Sequence, residues 1–375
     1  MASLFLWFIF SFCVSAIYIL QSRYRRLSHV KGPFLAKFTD LWRARIQFFG
    51  PFVPTLLKLH ERYGRIVRIG PNTVSISDPA FINIIASPRG GFAKADSYSP
   101  LRIFLNGRSV GSVIDMQDED GNRSIKRAVG NFFTTKHLLE YEPDLSATLS
   151  ALVDNLRTHH LLDGRPFSLY PVIQYFQLDF LFRIAFSANP GHLAQNRDVH
   201  GMASSLYKRI FHWYAWQPLP RLERLLFQNP LWTPLLPTRP AASWATYSAQ
   251  AVQARLSSPS SPSTPNINVK ATDIDTDSDN QKRRQDLLQK YLSASLTNPH
   301  AIPPSSLTNL VNSTISAGAD TTSGALTTLL YLVLRHPRVR VKLEHELATS
   351  QVSLPVRYAS VEKLPYLDAT IREAL

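Results

Sequence analysis

The sequence predicts a mainly α-helical protein with a small β portion. Three observations carry this. The stretch from Ser305 to Leu334 contains no proline and one charged side chain, and Pro337 closes it, which is the length and punctuation of a long helix. Leu138, Leu139, Leu145, Leu149, Leu152 and Leu156 recur at helical spacing. A strand–turn–strand pattern, Ile66 to Ile69 and Val74 to Ser77 around Gly70-Pro71-Asn72, supplies the β portion. Of 375 residues 45% are hydrophobic and 18% charged, enough for a sizeable core and too few charges for a disordered chain. The net charge of +14 favours nucleic acid, anionic lipid or an acidic protein as partner without choosing among them. A single cysteine, Cys13, excludes an intramolecular disulfide framework, a cysteine zinc site and an iron–sulfur cluster.

Taken in order, Ser3 to Leu20 is an uncharged run of 18 residues followed by Arg23, Arg25, Arg26 and Lys31. Its length and flanking charge predict a transmembrane helix with the body of the protein on the cytosolic side. A cleaved signal peptide is the alternative, since Val14-Ser15-Ala16 offers small residues, but the run has no basic residue before it. Residues 1–21 are thus expected as anchor, 22–50 as linker, and 51–375 as the folded body. Pro51 to Tyr63 predicts a helix capped by Gly64. Asp78-Pro79 predicts a helix start. Asp118 to Arg157 reads as helical, and Tyr170 to Phe186 as an apolar aromatic block. The tryptophan-rich stretch Phe211 to Trp244 reads as short helices broken by proline, packed in a core or serving as a ligand lid. Residues 257–284, rich in Ser, Pro, Thr and Asp, read as a disordered loop.

Within Ser305 to Leu334 the charged residue is Asp320. A lone carboxylate in an uncharged helix is costly to bury and is paired, hydrated or functional. Ala317 and Gly318 leave a notch where a flat ligand or water would sit, and the Thr321 hydroxyl can bond the carbonyl of residue 317. An alcohol and an acid beside a notch suit proton delivery to a bound oxygen species. Small residues also serve close helix packing, so spacing leaves both uses open. A second membrane span is disfavoured by Asn309, Asn312, Ser313, Ser316 and the threonines.

Ala317-Gly318-Ala319-Asp320-Thr321-Thr322 resembles the central-helix motif of the cytochrome P450 monooxygenases, A/G-G-x-D/E-T-T/S. His336-Pro337 with Val341, Leu343 and Glu346 resembles the family's next helix, and Leu364 to Leu375 resembles the lead-in to its E-x-x-R helix. Tyr63 to Asn72 with Ser77-Asp78-Pro79 resembles its first β hairpin. The likeness is nearest to fungal microsomal members such as the pisatin demethylase group. It implies a cytochrome P450 fold with haem b, ligated in this family by a cysteine thiolate. It further implies electrons from an NADPH-cytochrome P450 reductase, an apolar small-molecule substrate and residence at the endoplasmic reticulum membrane. The basic residues after the apolar run are expected to meet anionic membrane lipid, which accounts for part of the positive charge and argues for no nucleic acid.

By the same resemblance Thr321 supports oxygen activation, Asp320 takes part in proton delivery, and Ala317 and Gly318 lie over the haem face. Lys126 or Arg127 would meet a haem propionate, though a solvated helix face explains both equally well. Asn122 and Asn131-Phe132-Phe133-Thr134 depart from the family's usual residues there. Glu373 matches the glutamate of E-x-x-R, while its arginine and the cysteine loop would follow Leu375. The expectation is therefore a P450 fold incomplete at its C-terminus. One reading is a haem-thiolate monooxygenase that hydroxylates an apolar molecule in fungal secondary metabolism. The other is a truncated, inactive relative or an incomplete gene model. Tyr98 to Met116 and Phe211 to Trp216 are the expected substrate-contacting segments.

Overall fold

The computed structural model describes residues 2–87, 91–105, 108–110, 113–161, 164, 166–229, 243–257, 285–350 and 352–375. Numbering the described helices of eight or more residues gives α1 (Ala2–Arg26), α2 (Leu41–Phe49), α3 (Phe52–Tyr63), α4 (Glu119–Val129), α5 (Glu142–Leu156), α6 (Leu169–Phe186) and α7 (Met202–Trp216). These are followed by α8 (Pro220–Phe227), α9 (Ser243–Ser257), α10 (Leu287–Thr297), α11 (Leu307–Arg335), α12 (Pro337–Thr349) and α13 (Pro365–Ala374). Two antiparallel pairs, β1 (Ile66–Gly70) with β2 (Thr73–Ile76) and β3 (Ile103–Leu105) with β4 (Arg108–Val110), complete the regular structure. The expected class, mainly α with a small β portion, is what forms. The chain divides into two compact units, Met1–Leu101 with Ile210–Arg239, and Arg102–Arg209 with Pro240–Leu375.

In the first unit α1 is helical across the uncharged run. Among the described residues, however, no helix is long and apolar enough to cross a membrane. The transmembrane segment expected at 1–21 is thus not borne out. Arg23, Arg25 and Arg26 charge the last turn of α1. That turn is fastened to the hairpin by Arg68, which is fully buried. Its guanidinium donates to the carbonyls of Arg23, Tyr24, Lys37, Gly70 and Pro71, so five acceptors without a carboxylate compensate the buried cation. The approach is close. A Cβ on Gly32 would stand 2.2 Å from the Arg68 carbonyl oxygen. Gly64, at φ +96°, ends α3 as expected, and Asp78 caps the next turn by accepting from the Ala80 N–H at 3.0 Å.

The second unit is organised on α6 and α11. Helix α6 is buried along most of its length, which explains its nearly continuous apolar sequence. Leu178, Leu181 and Phe182 pack with Leu310, Val311, Ile315 and Ala319 of α11, and with Trp244, Leu288 and Tyr291. Trp244, fully buried, bears out the core reading of that aromatic. The helical pattern of 118–157 is interrupted: α4 gives way to a tight turn at Gly130–Phe133, Thr134 is extended, and Pro143 sits in the first turn of α5. Ser306 does not cap α11 through its side chain. Its hydroxyl donates instead to the Pro303 carbonyl at 2.8 Å. The loop expected at 257–284 lies, after Ser257, outside the described residues.

Candidate active site

Three of the sequence-predicted site residues share one cavity. It has a volume of about 640 Å³, within the roughly 300–1,000 Å³ typical of small-molecule and cofactor sites. Helix α4 contributes Lys126, and α11 contributes Ala317 and Gly318. Val129, Phe133, Leu181, Tyr291 and Leu310 make most of the remaining wall apolar. Among the described lining residues Lys126 is the one charged side chain. Arg127, the next residue on α4, is exposed and is not among them. One helical residue turns the side chain by about 100°, which separates the two.

Gly318 meets α6 as well as the cavity. A Cβ there would stand 3.0 Å from Leu181 Cδ2. Both uses of a small residue left open by the sequence therefore apply, close helix packing on one side and an accessible notch at Ala317 on the other. The Thr321 hydroxyl donates to the Ala317 carbonyl at 2.6 Å, the local bond expected from the sequence. Asp320 is half-buried and accepts from the Tyr170 hydroxyl at 2.5 Å. Burial, then the bond to Asp320, hold the Tyr170 phenol far above its ordinary value. The acid thus faces α6, and neither Asp320 nor Thr321 is among the cavity-lining residues.

Sequence reasoning missed Tyr170, Leu181 and the pair Tyr291–Thr314, whose hydroxyls are 2.9 Å apart in the cavity wall. A lone carboxylate signals that it needs a partner. Nothing in the sequence says that the partner lies 150 residues earlier. Glu346, noted before only for its resemblance, accepts from the backbone N–H groups of Tyr366 and Leu367, each at 2.8 Å, and so caps the start of α13. Glu373 is exposed near the end of that helix.

The sequence profile of the cytochrome P450 family matches residues 44–375. The chain belongs to the cytochrome P450 family. Among similar proteins, a cytochrome P450 monooxygenase of Aspergillus terreus is 27% identical over 373 residues, covering 97% of this chain and 71% of the relative. The cytochrome P450 monooxygenase pkfB of Emericella nidulans is 29% identical over 363 residues, covering 96% and 68%. The cytochrome P450 monooxygenase mpaDE' of Penicillium brevicompactum is 29% identical over 370 residues, covering 96% and 41%. P450 membership implies a haem cofactor, a reductase as electron source and a small-molecule substrate.

The cavity fits part of a haem. Its apolar wall suits the porphyrin face, Lys126 suits a propionate as a point charge, and Ser313 brings to the wall a buried hydroxyl oxygen with no protein partner. Among the described lining residues none is a cysteine or histidine. Among the described residues no cluster of three or more His, Cys, Asp or Glu side chains is placed to hold a metal ion. The described lining residues would hold the ring and a carboxylate, and none of them is of the type that ligates the iron in this family.

Proposed function

We propose that this P450 hydroxylates an apolar small molecule, using dioxygen and electrons from NADPH-cytochrome P450 reductase, in fungal secondary metabolism. The observation that carries the proposal is the cavity joining Lys126 to Ala317 and Gly318 beside the Asp320-Thr321 turn. Haem b, when bound, supplies the oxygen-activating chemistry. Lys126 neutralises a carboxylate at the cavity edge. The wall formed by Phe133, Leu181, Tyr291 and Leu310 excludes water and gives an apolar ligand its binding energy. Asp320 holds and releases the proton, and the Thr321 hydroxyl, bonded at rest to the Ala317 carbonyl, turns away from it to pass the proton on. We further propose residence at the endoplasmic reticulum membrane, attached through α1, on the strength of the apolar N-terminal sequence and its arginines.

The test is oxygenation of a panel of apolar compounds by the purified full chain with haem, reductase, NADPH and isotopically labelled dioxygen. One labelled oxygen atom in a product, reduced by Thr321→Ala, is the expected result. Absence of haem uptake, or of labelled product, overturns the proposal.

A further inference from the structure

We propose that Tyr170 is the positioning residue of Asp320, fixing its carboxylate against α6 and passing it protons from the solvent side. The inference rests on the proton-delivery role proposed above for Asp320.

Among the described residues no lysine, arginine or histidine pairs with Asp320, whose partner is the Tyr170 hydroxyl. A half-buried carboxylate held by one neutral donor is oriented without being locked as a salt bridge would lock it. Thr321 cannot hold it, because that hydroxyl is engaged with the Ala317 carbonyl. Tyr170 is itself held. One turn further along α6, Gln174 donates through Nε2 to the Tyr170 oxygen at 3.5 Å. Tyr170 stands in the first turn of α6 and is half-buried, so the pair lies at the border of the core.

The phenol relays the proton as a neutral group. Burial and the neighbouring carboxylate oppose its ionisation, so it acts only as a neutral group. A proton reaching the phenol oxygen from water replaces the phenolic proton as that one leaves for Asp320 Oδ1. The water becomes hydroxide or is itself recharged from bulk, the phenol ends neutral as it began, and the carboxylate becomes a carboxylic acid. No oxidant or reductant is needed.

The test compares the full chain with Tyr170→Phe, Asp320→Asn and the double variant. In an ultraviolet titration of tyrosinate formation, Asp320→Asn is expected to let one tyrosine ionise at lower pH than in the unaltered chain, and adding Tyr170→Phe removes that ionisation. Superimposed curves for the chain and Asp320→Asn overturn the inference. In the haem-loaded protein with reductase, Tyr170→Phe is expected to lower kcat by about tenfold at unchanged KM, with a larger solvent isotope effect. Normal turnover in Asp320→Asn defeats the proton-delivery reading itself. Impaired Asp320→Asn with normal Tyr170→Phe defeats only the role of Tyr170.

Discussion

Leu181 of α6 lies so close to Gly318 of α11 that a Cβ at residue 318 would stand 3.0 Å from the leucine Cδ2. The contact sits where α11 also borders the cavity. One glycine therefore sets both the spacing of the two central helices and the depth of the notch. Gly318→Val is expected to destabilise the protein by about 1–3 kcal/mol through overpacking. Adding Leu181→Ala should recover part of that loss, because the space is shared. Urea denaturation of the two single variants and the double variant checks the coupling; strictly additive losses would contradict the contact.

Lys126 should matter to binding and little to folding. It is exposed and is the one charge among the described residues of the cavity lining. Lys126→Ala is expected to weaken haem uptake several-fold in an absorbance titration, while stability stays within about 0.5 kcal/mol. Lys126→Arg should retain uptake, since the cationic charge remains.

Arg68 should govern the end of α1. Removing its guanidinium leaves buried carbonyl groups without a donor, at a cost of at least about 2 kcal/mol. Arg68→Ala is therefore expected to expose Arg23, Arg25 and Arg26 to trypsin much faster than in the unaltered chain. Gly32→Ala should do the same with Arg68 intact, because a Cβ would meet the Arg68 carbonyl. Peptide mapping of early fragments reads the result; unchanged cleavage in both variants would show that the clamp does not hold the helix.

Acid should loosen the segment after α6. His192 is fully buried, and its Nδ1 accepts from the Val199 N–H at 3.0 Å. Burial pushes its pKa below the ordinary 6.5, outweighing Asp179, the Arg197 carbonyl and Asp198, which raise it. The unfolded chain thus binds this proton more readily than the folded one, so stability is full above pH 6.5 and falls as the pH drops below it, by at most about 1.4 kcal/mol per pH unit. Asp179, raised by burial, opposes this in the acid range. His192→Asn should remove the His192 part of the slope, read from urea midpoints at neutral and mildly acid pH.

The long helix was legible because its proline-free run with a single charge and the following His336-Pro337 state both its nature and its end. The hairpin, the Gly64 cap and the Asp78 cap were legible because each depends on residues next to one another. The bond from Thr321 to the Ala317 carbonyl was legible for the same reason, being one turn long. Leu138 to Leu156 was read too smoothly, because the extended Thr134 and the entry at Pro143 reset the helix without disturbing its leucines.

By itself the sequence determined the mainly helical class, the family motif and the chemical types at 317–321. All of these are set by local propensity and spacing. Only the tertiary structure decided that Asp320 turns to Tyr170, that Gly318 faces Leu181, and that Lys126 shares a cavity with Ala317 while Arg127 does not. Those pairings depend on the angle and register at which helices far apart in sequence pack, and a hydroxyl or a carboxylate carries no record in its own neighbourhood of which distant group will satisfy it.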